Sequence, residues 1–435
     1  MRGNRIRSPD EALVSQHNVQ RADGRFRRRR HCRLHHQRVA HVGHGSERTM
    51  KKILFVTHAA HYGGAELFLR DIVLQARQSG RLWPVVFLDD GPLIKDLVDA
   101  GASAKTVKAA ARILKLKRGS SIRDVSSALT GIFAAVRALI REFRGVDVVC
   151  ANSQKSLFLA GLAARLARRP FVWILHDLVT DRSFSPLMRR ALVFFANHMT
   201  AHVVTNSQAA REALIECGGE GDKISVVYNG FDFAADFPPG ASGADRGPVL
   251  REAGLSDLPT VGVFGRIAEW KGQHVLIEAL DRIPGLQAII VGDATYQDSA
   301  YFDRLRARVD QRSLSDRVKF LGFRKDVPRL MAAVDIVAHT SIDPEPFGRV
   351  IVEGLALGRP VVATRGGGVG EIIDHGTNGL LYPPGDSAAL AEALRSLMSD
   401  HTLASRLAAE GRSTVIARFS IQRSVQDLDR VFEDL

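Results

Sequence analysis

Residues 53–66 read ILFVTHAAHYGGAE, and this stretch decides the fold class of the chain. The apolar and β-branched run Ile53–Thr57 predicts a buried strand, and the glycine pair behind it predicts a tight turn into a helix over Gly64–Gln78. A strand without polar alternation that leads through a short turn into a helix is typical of a parallel sheet with crossover helices. The stretch therefore indicates an α/β protein.

The same alternation continues in two series, which are separated by a proline- and glycine-rich stretch, 237–259, that predicts a linker with a short helix. The first series predicts strands at 53–57, 85–88, 146–151, 171–176, 203–206 and 224–229, and helices at 64–78, 122–143, 155–168, 186–198 and 208–217. The second series predicts strands at 260–264, 288–291, 318–321, 336–339, 360–363 and 379–382, and helices at 273–281, 300–311, 327–333, 348–357, 369–374, 387–399, 403–416 and 421–432.

Two such series predict two doubly wound, Rossmann-like domains that face a central cleft. The predicted bounds are 50–240 for the first domain and 241–416 for the second, followed by a closing helix within 417–435. Ligands of doubly wound sheets bind beyond the carboxyl ends of the strands, so the sequence predicts a site between the domains.

The first 49 residues differ in composition from the rest of the chain. They hold 12 arginines, no lysine and four acidic residues, so they carry +8 of the formal net charge of +13. They show no hydrophobic periodicity, whereas Met50 leads at once into the predicted strand Ile53–Thr57. We interpret residues 1–49 as a disordered basic extension or as the result of a start assigned upstream of Met50. A basic arm that touches acidic lipid or RNA, and a transit peptide, are the alternatives.

Composition and missing motifs exclude several classes of protein. No apolar stretch approaches the roughly 18 residues that span a bilayer. The three cysteines, Cys32, Cys150 and Cys217, form neither a disulfide framework nor a zinc pattern, which is typical of a reducing cytosol. No GxGxxG fingerprint follows the first predicted strand, and the chain has no Walker loop, GxxxxGK[ST].

Residues 263–272, VFGRIAEWKG, are the first candidate for binding chemistry. A predicted strand ends at Gly265, and Arg266 and Lys271 follow, five residues apart, in front of a helix. Both cations can converge on the carboxyl edge of the strand together with a helix N-terminus, which suits a departing diphosphate. Two solvated cations without a ligand are the alternative.

Residues 343–354, DPEPFGRVIVEG, form the densest candidate. Glu345 lies in a loop before a helix, and Glu353 lies inside that helix, eight residues later, among mostly apolar residues. A buried acid needs a partner, and an acid that accepts hydrogen bonds from ribose hydroxyls is common in doubly wound nucleotide sites. Free N–H groups at the helix start point toward the same space. For Glu353 the alternative is a structural salt bridge.

Three further turns lie where predicted strands end. The pair Gly63-Gly64 can bring backbone N–H groups close to an anion or a sugar, although an ordinary tight turn is the alternative. Residues 364–371, TRGGGVGE, form a second glycine-rich turn. His176 and Asp177 end the predicted strand 171–176, and a structural histidine is the alternative there.

Taken together, these motifs resemble glycosyltransferase family 4, whose members are retaining enzymes of the GT-B fold that take a sugar from a nucleotide diphosphate. The resemblance covers residues 51–435. It is carried by Gly265-Arg266, Lys271-Gly272, Glu345 with Glu353, Gly367-Gly368 with Glu371, Asn378-Gly379, Gly63-Gly64-Ala65-Glu66, His176-Asp177, Asn206-Ser207 and residues 227–232. Gly354 and Gly370 depart from the family pattern, which often has alanine and proline there.

The resemblance implies that the second domain binds the donor. Arg266 and Lys271, behind Gly265, would hold the diphosphate, and Glu353 would bind the ribose. The transferred sugar would be held through its hydroxyls by Glu345 and by the backbone N–H groups of Phe347, Gly348, Arg349 and Val350.

The resemblance also implies that the first domain serves the acceptor. His176 would lie beside the reacting face of the sugar, while Gly63 and Gly64 would line the acceptor and phosphate side. We therefore expect the catalytic residues to be His176, Arg266, Lys271 and Glu345.

These implications predict a retaining, metal-independent glycosyltransferase of polysaccharide biosynthesis in the cytoplasm. It would need no cofactor, because the nucleotide sugar is a substrate, and it would bind no nucleic acid. No convincing enzymatic nucleophile stands out in the sequence, so front-side displacement is the expected mechanism. Family analogy predicts a lipid-linked or polysaccharide acceptor.

A peripheral contact with an anionic membrane is a further expectation. In the helix that starts at Ser185, Arg189 and Arg190 lie beside Phe194 and Phe195, and the preceding helix ends in arginines. An ordinary amphipathic core helix is the alternative.

Three other functions remain as alternatives. A nucleotide-sugar epimerase of the same fold would turn over its donor without an acceptor. A non-enzymatic nucleotide-sugar sensor would bind the donor and form no product. A nicotinamide oxidoreductase would bind NAD, and the missing GxGxxG motif argues against it.

Overall fold

Two parallel sheets form the framework of the chain, and they confirm the predicted pair of doubly wound domains. The computed structural model describes residues 50–107, 122–237 and 246–435, and for residues 122–129 it describes the backbone alone. The interpretation of residues 1–49 and the predicted domain boundary at 240–241 lie outside the described residues. Residues 50–435 form one unit.

The first sheet has seven parallel strands in the order β3-β2-β1-β4-β5-β6-β7. β1, β4 and β5 are buried along their whole length, because helices cover both faces of the sheet, and this is why they read as continuous apolar runs. The strands are β1 (Ile53–Thr57), β2 (Val85–Phe87), β3 (Ala104–Thr106), β4 (Val148–Ala151), β5 (Phe171–Leu175), β6 (His202–Thr205) and β7 (Ile224–Val226).

The second sheet has six parallel strands in the order β10-β9-β8-β11-β12-β13. Its central strands β8, β9, β11 and β12 are fully buried, as in the first sheet. The strands are β8 (Thr260–Phe264), β9 (Gln287–Val291), β10 (Val318–Gly322), β11 (Ile336–His339), β12 (Val361–Thr364) and β13 (Leu380–Tyr382).

Helices connect the strands, and many of them begin at side-chain caps. Ser153 and Ser207, for example, each accept a hydrogen bond from a backbone N–H in the first turn of the helix that follows. The helices are α1 (Gly64–Gln78), α2 (Pro92–Asp99), α3 (Ile122–Glu142), α4 (Gln154–Ala167), α5 (Pro186–His198), α6 (Gln208–Glu216), α7 (Phe233–Asp236), α8 (Arg246–Glu252), α9 (Gln273–Asp281), α10 (Ser299–Gln311), α11 (Val327–Ala333), α12 (Arg349–Ala356), α13 (Ser387–Ser399), α14 (His401–Arg418) and α15 (Ile421–Glu433).

Four elements differ from the sequence-based predictions. β3, α2 and α7 were not predicted: β3 is a three-residue edge strand with no apolar run, and α2 and α7 span only eight and four residues. The predicted helix at 369–374 is instead a short 3₁₀ turn, Gly368–Glu371, since its glycines favour a turn over a helix. Among the described residues, no helix is long and apolar enough to cross a bilayer.

The strand order places a ligand site in each domain. In the first sheet the order reverses between β1 and β4, and in the second it reverses between β8 and β11. A crevice opens at such a switch point, beyond the carboxyl ends of the two strands. The turns that follow β1, β8 and β11 are those that the sequence singled out.

The chain crosses between the two domains twice, and the two crossings lie side by side. At the first crossing, Val227 packs in the core of the first domain and Phe231 in that of the second. At the return crossing, Phe419 packs in the core of the second domain and Ile421 in that of the first. The Phe231 N–H donates to the Phe419 carbonyl at 2.9 Å, and the Ile421 N–H donates to the Phe231 carbonyl at 3.0 Å. The closing helix α15 therefore completes the core of the first domain.

Candidate active site

The two domains meet at the turns that follow β1 and β11. Gly63 and Gly64 open α1, and a Cβ atom on Gly64 would lie 3.4 Å from Cδ of Arg349, the first residue of α12. The glycine turn of the first domain thus lies directly against the helix start of the second. The structure brings these two predicted parts of the site together.

Glu345 is the best-anchored side chain of the site. It is 7 % exposed, and its Oε1 atom accepts hydrogen bonds from the Lys271 ammonium, from Ser341 Oγ at 2.7 Å and from His339 Nε2 at 3.2 Å. Burial alone would raise the pKa of Glu345, but Lys271 and His339 hold this pKa well below its usual range. Glu345 is therefore an ionised carboxylate although its side chain is almost fully buried.

Arg266 and Lys271 flank the indole ring of Trp270. The Lys271 ammonium lies 4.2 Å from the ring centroid, and the guanidinium of the exposed Arg266 lies 5.8 Å from it. Gly272 permits this arrangement, since its φ is 65° and a Cβ there would lie 2.1 Å from the Thr340 carbonyl. The structure thus joins Lys271 to Glu345 and leaves Arg266 at the rim.

The start of α12 and the glycine-rich turn after β12 pack against each other. Gly348 has a φ of 105° and precedes the first helical residue, so the N–H groups of Arg349 and Val350 lie in the first turn. The Gly368 N–H donates to the Glu345 carbonyl at 2.8 Å, and a Cβ on Gly367 would lie 2.0 Å from that carbonyl. The loop that carries Glu345 is therefore fixed from both sides, with the side chain of Phe347 buried beneath it.

Glu353 and Arg349 belong to a charge cluster between the domains. Arg349 Nη2 lies 3.4 Å from Oδ2 of Asp71 in α1, and Arg349 Nε lies 3.6 Å from Oε1 of Glu353. Burial raises the pKa of Glu353, Arg349 opposes this shift, and the carboxylates of Asp71 and Asp236 add to it. The guanidinium of Arg349 also lies 4.4 Å from the ring centroid of Phe231. The salt-bridge alternative for Glu353 is thus present in the structure, although the pair with Arg349 is loose.

His176 lies at the cleft as a half-buried, neutral imidazole. Its Nε2 is 2.9 Å from Oδ1 of Asn152, whose amide nitrogen donates to the Ala65 carbonyl. Because Asn152 Oδ1 can only accept, Nε2 carries the proton, and the buried Nδ1 has no hydrogen-bond partner among the described residues. Burial, aided by Arg349, lowers the pKa of His176 to about 3.

The sequence reasoning missed several residues of the site. His339 and Ser341, which hold Glu345, follow the rule that strand ends carry function, since both lie at the carboxyl end of β11. Asp71, which faces Arg349, lies inside α1 and gave no local signal. Glu66 is 8 % exposed, and burial, aided by Asp177, raises its pKa to about 7.

A contact at the far side of the cleft also links the domains. The carboxylate of Glu371, in the turn after β12, accepts hydrogen bonds from the backbone N–H groups of Gln208 at 2.8 Å and Ala209 at 2.9 Å. These are the first two N–H groups of α6 in the other domain, and Ser207 Oγ accepts from the third, that of Ala210. Within the described ranges, no group of three or more His, Cys, Asp or Glu side chains could hold a metal ion.

Comparison with known proteins gives matches to both domains. The family model described as Glycosyltransferase Family 4 matches residues 62–235, and that described as Glycosyl transferases group 1 matches residues 251–414. The lipopolysaccharide core biosynthesis glycosyltransferase LpsE of Rhizobium meliloti (strain 1021) is 38% identical over 232 residues, which are 53% of this chain and 62% of that relative. The D-inositol 3-phosphate glycosyltransferase of Corynebacterium jeikeium (strain K411) is 28% identical over 394 residues, 86% of this chain and 92% of that relative.

A solved structure matches the whole of the described fold. The crystal structure of Anabaena Alr3699/HepE in complex with UDP and glucose is 35% identical, covers 88% of this chain and 100% of its own, and has a TM-score of 0.78. The two doubly wound domains and these matches identify a glycosyltransferase of the GT-B fold. The chain belongs to glycosyltransferase family 4.

Proposed function

We propose that the protein transfers a sugar, with retention of configuration, from a nucleoside diphosphate sugar to a hydroxyl group of a lipid-linked or polysaccharide acceptor. One observation carries the proposal: Lys271 and Glu345 are paired at the carboxyl edge of the second sheet, next to the α12 start that lies against Gly64. A cation for a diphosphate and a carboxylate for sugar hydroxyls would then flank the bond that breaks.

In this proposal, the donor is held by the second domain. Arg266 and Lys271 bind the diphosphate, and Glu353 accepts hydrogen bonds from the ribose once Arg349 yields its loose contact with it. Glu345 accepts hydrogen bonds from the transferred sugar, which the free N–H groups at the start of α12 also contact.

The proposed step is a front-side displacement. The bond between the anomeric carbon and the diphosphate oxygen breaks, and the bond to the acceptor oxygen forms on the same face of the ring. The acceptor proton passes to the departing diphosphate, which leaves toward Lys271 and Arg266. His176 adds no positive charge, because its pKa of about 3 keeps it neutral, and its Nε2 is already bonded to Asn152.

We further propose that the reaction needs no metal ion. The charge that develops on the leaving diphosphate can be met by Lys271, Arg266 and the N-terminus of α12. Transfer should therefore proceed at the same rate with excess EDTA and with Mg²⁺ or Mn²⁺. A rate that falls more than tenfold in EDTA and recovers on addition of a divalent ion would contradict this part of the proposal.

The donor to test first is UDP-glucose, because a solved relative was crystallised with UDP-glucose. Lipopolysaccharide core acceptors come next, because LpsE carries out core biosynthesis. Isothermal titration against UDP-, GDP- and ADP-sugars identifies the donor, and NMR of the product gives the anomeric configuration. Retention supports the proposal, whereas inversion overturns the mechanism.

The same assay separates the alternatives. An epimerase would convert the nucleotide sugar without acceptor, and a sensor would bind it and form no product. The complete Lys271–Glu345 pair supports an enzyme over a sensor, since a site that only binds does not require charges placed at a breaking bond.

We also propose that the protein works on the cytoplasmic side, in peripheral contact with an anionic membrane. Helices α4 and α5 pack together through Phe158 and Phe195, and their outer faces carry exposed apolar side chains. Leu187 is 79% exposed, Leu166 60% and Phe194 54%. Exposed arginines lie on the same two helices and at their ends, namely Arg165, Arg168 and Arg190.

Vesicle flotation tests the membrane contact. The parent chain should float with vesicles that contain anionic lipid and stay in solution with neutral vesicles. The double variant Leu187→Ser and Phe194→Ser should lose most of the binding, while Leu82→Ser, at an equally exposed position outside α4 and α5, should keep it. Equal flotation with both kinds of vesicle would contradict the proposal that anionic lipid attracts this surface.

A further inference from the structure

The hydrogen bonds to Glu345 are distributed unevenly between its two oxygens. Oε1 accepts from Lys271, Ser341 and His339, which come from three separate positions of the second domain. Oε2 accepts from none of the described residues, and it is not among the polar atoms that are sealed from solvent without a partner. One oxygen is therefore fully used inside the protein, and the other keeps access to solvent.

His339 is the donor that the framework holds most firmly. Its side chain is 3% exposed, and the residue ends β11. Its Nδ1 lies 3.1 Å from Oγ1 of Thr364, the last residue of the neighbouring strand β12. Its carbonyl accepts a hydrogen bond from the Tyr382 hydroxyl of β13 at 3.3 Å. The imidazole is thus held by Thr364 of β12 and its backbone by Tyr382 of β13, whereas Glu345 lies on a loop.

The chemistry of the partners selects one form of this imidazole. A carboxylate can only accept a hydrogen bond, so His339 Nε2 carries a proton and donates a hydrogen bond to Glu345. Lys271 already neutralises that carboxylate, and a second buried cation would have no anion to pair with. The Thr364 hydroxyl therefore donates to Nδ1, which keeps the imidazole in the Nε2–H form.

We propose that His339, held by Thr364, is a positioning residue that fixes Oε1 of Glu345 and so reserves Oε2 for a hydroxyl of the donor sugar. This inference rests on the proposed function, because it assigns Glu345 to the sugar. Without the His339 hydrogen bond, the carboxylate would turn toward Lys271. The ammonium would still neutralise it, but the open oxygen would no longer face the sugar.

Two isosteric variants test the proposal. The amide nitrogen of glutamine can reach the position of Nε2, whereas that of asparagine falls near Nδ1 and cannot reach Glu345. We expect His339→Asn to lower kcat/KM for transfer from UDP-glucose by about tenfold, the loss typical of one hydrogen bond to a charged group. His339→Gln should stay within about threefold of the parent chain, and both variants should bind UDP as the parent does.

Thr364 provides a matched pair of variants. Thr364→Ser keeps the hydroxyl that holds His339 Nδ1 and should behave as the parent, whereas Thr364→Val removes this contact and should lower kcat/KM for transfer from UDP-glucose without weakening the binding of UDP. A purely structural role for His339 would instead lower the melting temperature and the activity of all four variants in parallel, with no rescue by His339→Gln or Thr364→Ser.

A binding measurement separates this inference from the proposed function. The ratio of the dissociation constants for UDP and UDP-glucose reports the sugar contact without turnover. We expect His339→Asn to reduce the preference for UDP-glucose and His339→Gln to preserve it. If the parent chain binds UDP-glucose but transfers nothing, the proposed function fails and this ratio still decides the role of His339. Equal ratios in the parent and His339→Asn would overturn the inference, as would a parent chain that does not distinguish the two ligands.

Discussion

The two domains present opposite kinds of surface to the cleft that they share. In the second domain Glu345 is buried but ionised, because Lys271 and His339 lower its pKa. In the first domain burial moves the titratable groups toward their neutral forms: it lowers the pKa of His176 to about 3 and of His58 to about 4, and it raises that of Glu66 to about 7. The wall that holds the Lys271–Glu345 pair is called the charged wall, and the wall that holds His176, His58 and Glu66 is called the neutral wall, although Asp71 on the latter pairs with Arg349.

Two similar sheets can therefore divide the work of one reaction. A preorganised pair of charges suits a leaving diphosphate, because the charges need no rearrangement as the bond breaks. A neutral wall suits an acceptor that supplies hydroxyl groups, because it neither attracts nor repels a charged group.

The charged wall should dominate catalysis. We expect Lys271→Ala to lower kcat on the order of 100-fold, since it removes one preorganised donor to the leaving group. Lys95→Ala, which changes an exposed lysine of α2, is the control and should have no effect. Single-turnover transfer measures both variants. If Lys271→Ala transfers sugar at the parent rate, the diphosphate assignment fails.

Glu353 in α12 and Glu345 in the loop before it should affect different parameters, namely UDP affinity and sugar transfer. Glu353→Ala should weaken the binding of free UDP roughly tenfold, the loss typical of a charged hydrogen bond to the ribose. Glu345→Ala should reduce transfer while leaving UDP affinity intact, because it also releases Lys271 for the diphosphate. Calorimetry with UDP, set beside single-turnover transfer, separates the two effects. An equal loss of UDP affinity in both variants would show that this division of roles is wrong.

The neutral wall should appear in the pH dependence of stability. The pKa of Glu66 is raised from 4.5 to about 7, so the folded chain keeps a proton that the unfolded chain releases. The associated stabilisation, about 3 kcal/mol, is fully present below pH 4.5 and is lost as the pH rises through 7. We expect the melting temperature of the parent to fall further between pH 5 and pH 8 than that of Glu66→Gln. Glu410→Gln, at an exposed position of α14, should follow the parent, and coinciding curves for all three would refute the prediction.

The smallest effect should come from removal of residues 1–49. The cleft walls and the cores of both domains are built from residues 50–435, which form one unit. A chain that begins at Met50 should therefore keep the melting temperature and turnover of the full chain. A drop of more than about 4 °C, which corresponds to at least 1 kcal/mol in a chain of this size, would contradict the interpretation of this segment.

The periodicity of the sequence was sufficient to predict the framework. Buried parallel strands such as β1 and β8 lack charged residues and polar alternation, with a threonine only at one end, so their bounds follow from composition. β3 was not predicted because an edge strand of three residues, Ala-Lys-Thr, has no apolar run. Gly354, where the family pattern often has alanine, has a packing reason in the structure, since a Cβ there would lie 3.2 Å from the side chain of Val337.

The site was predictable only where its residues are neighbours in sequence. Lys271, Glu345 and Gly348 stood out because each follows a strand or opens a helix. The pairing of Lys271 with Glu345 joins two different βα units, and the contact of Arg349 with Asp71 joins two domains. Such contacts depend on how the sheets stack, which local patterns do not encode. His339 reads in the sequence as the last residue of a strand, and only its partners across β12 and β13 give it a role.

The double crossing of the chain determines how the cleft can open. A single linker would act as a tether and leave the second domain free to swing in any direction. Here two segments cross side by side, hydrogen-bonded to each other at Phe231 and Ile421, and Ser424 Oγ donates to the Tyr228 carbonyl at 2.8 Å. Two hydrogen-bonded segments along one edge of the cleft act as a hinge: they permit rotation of the domains about one axis and resist sliding and twisting. Each turnover would then bring Lys271 and Gly64 back along the same arc, with the register between the two walls preserved.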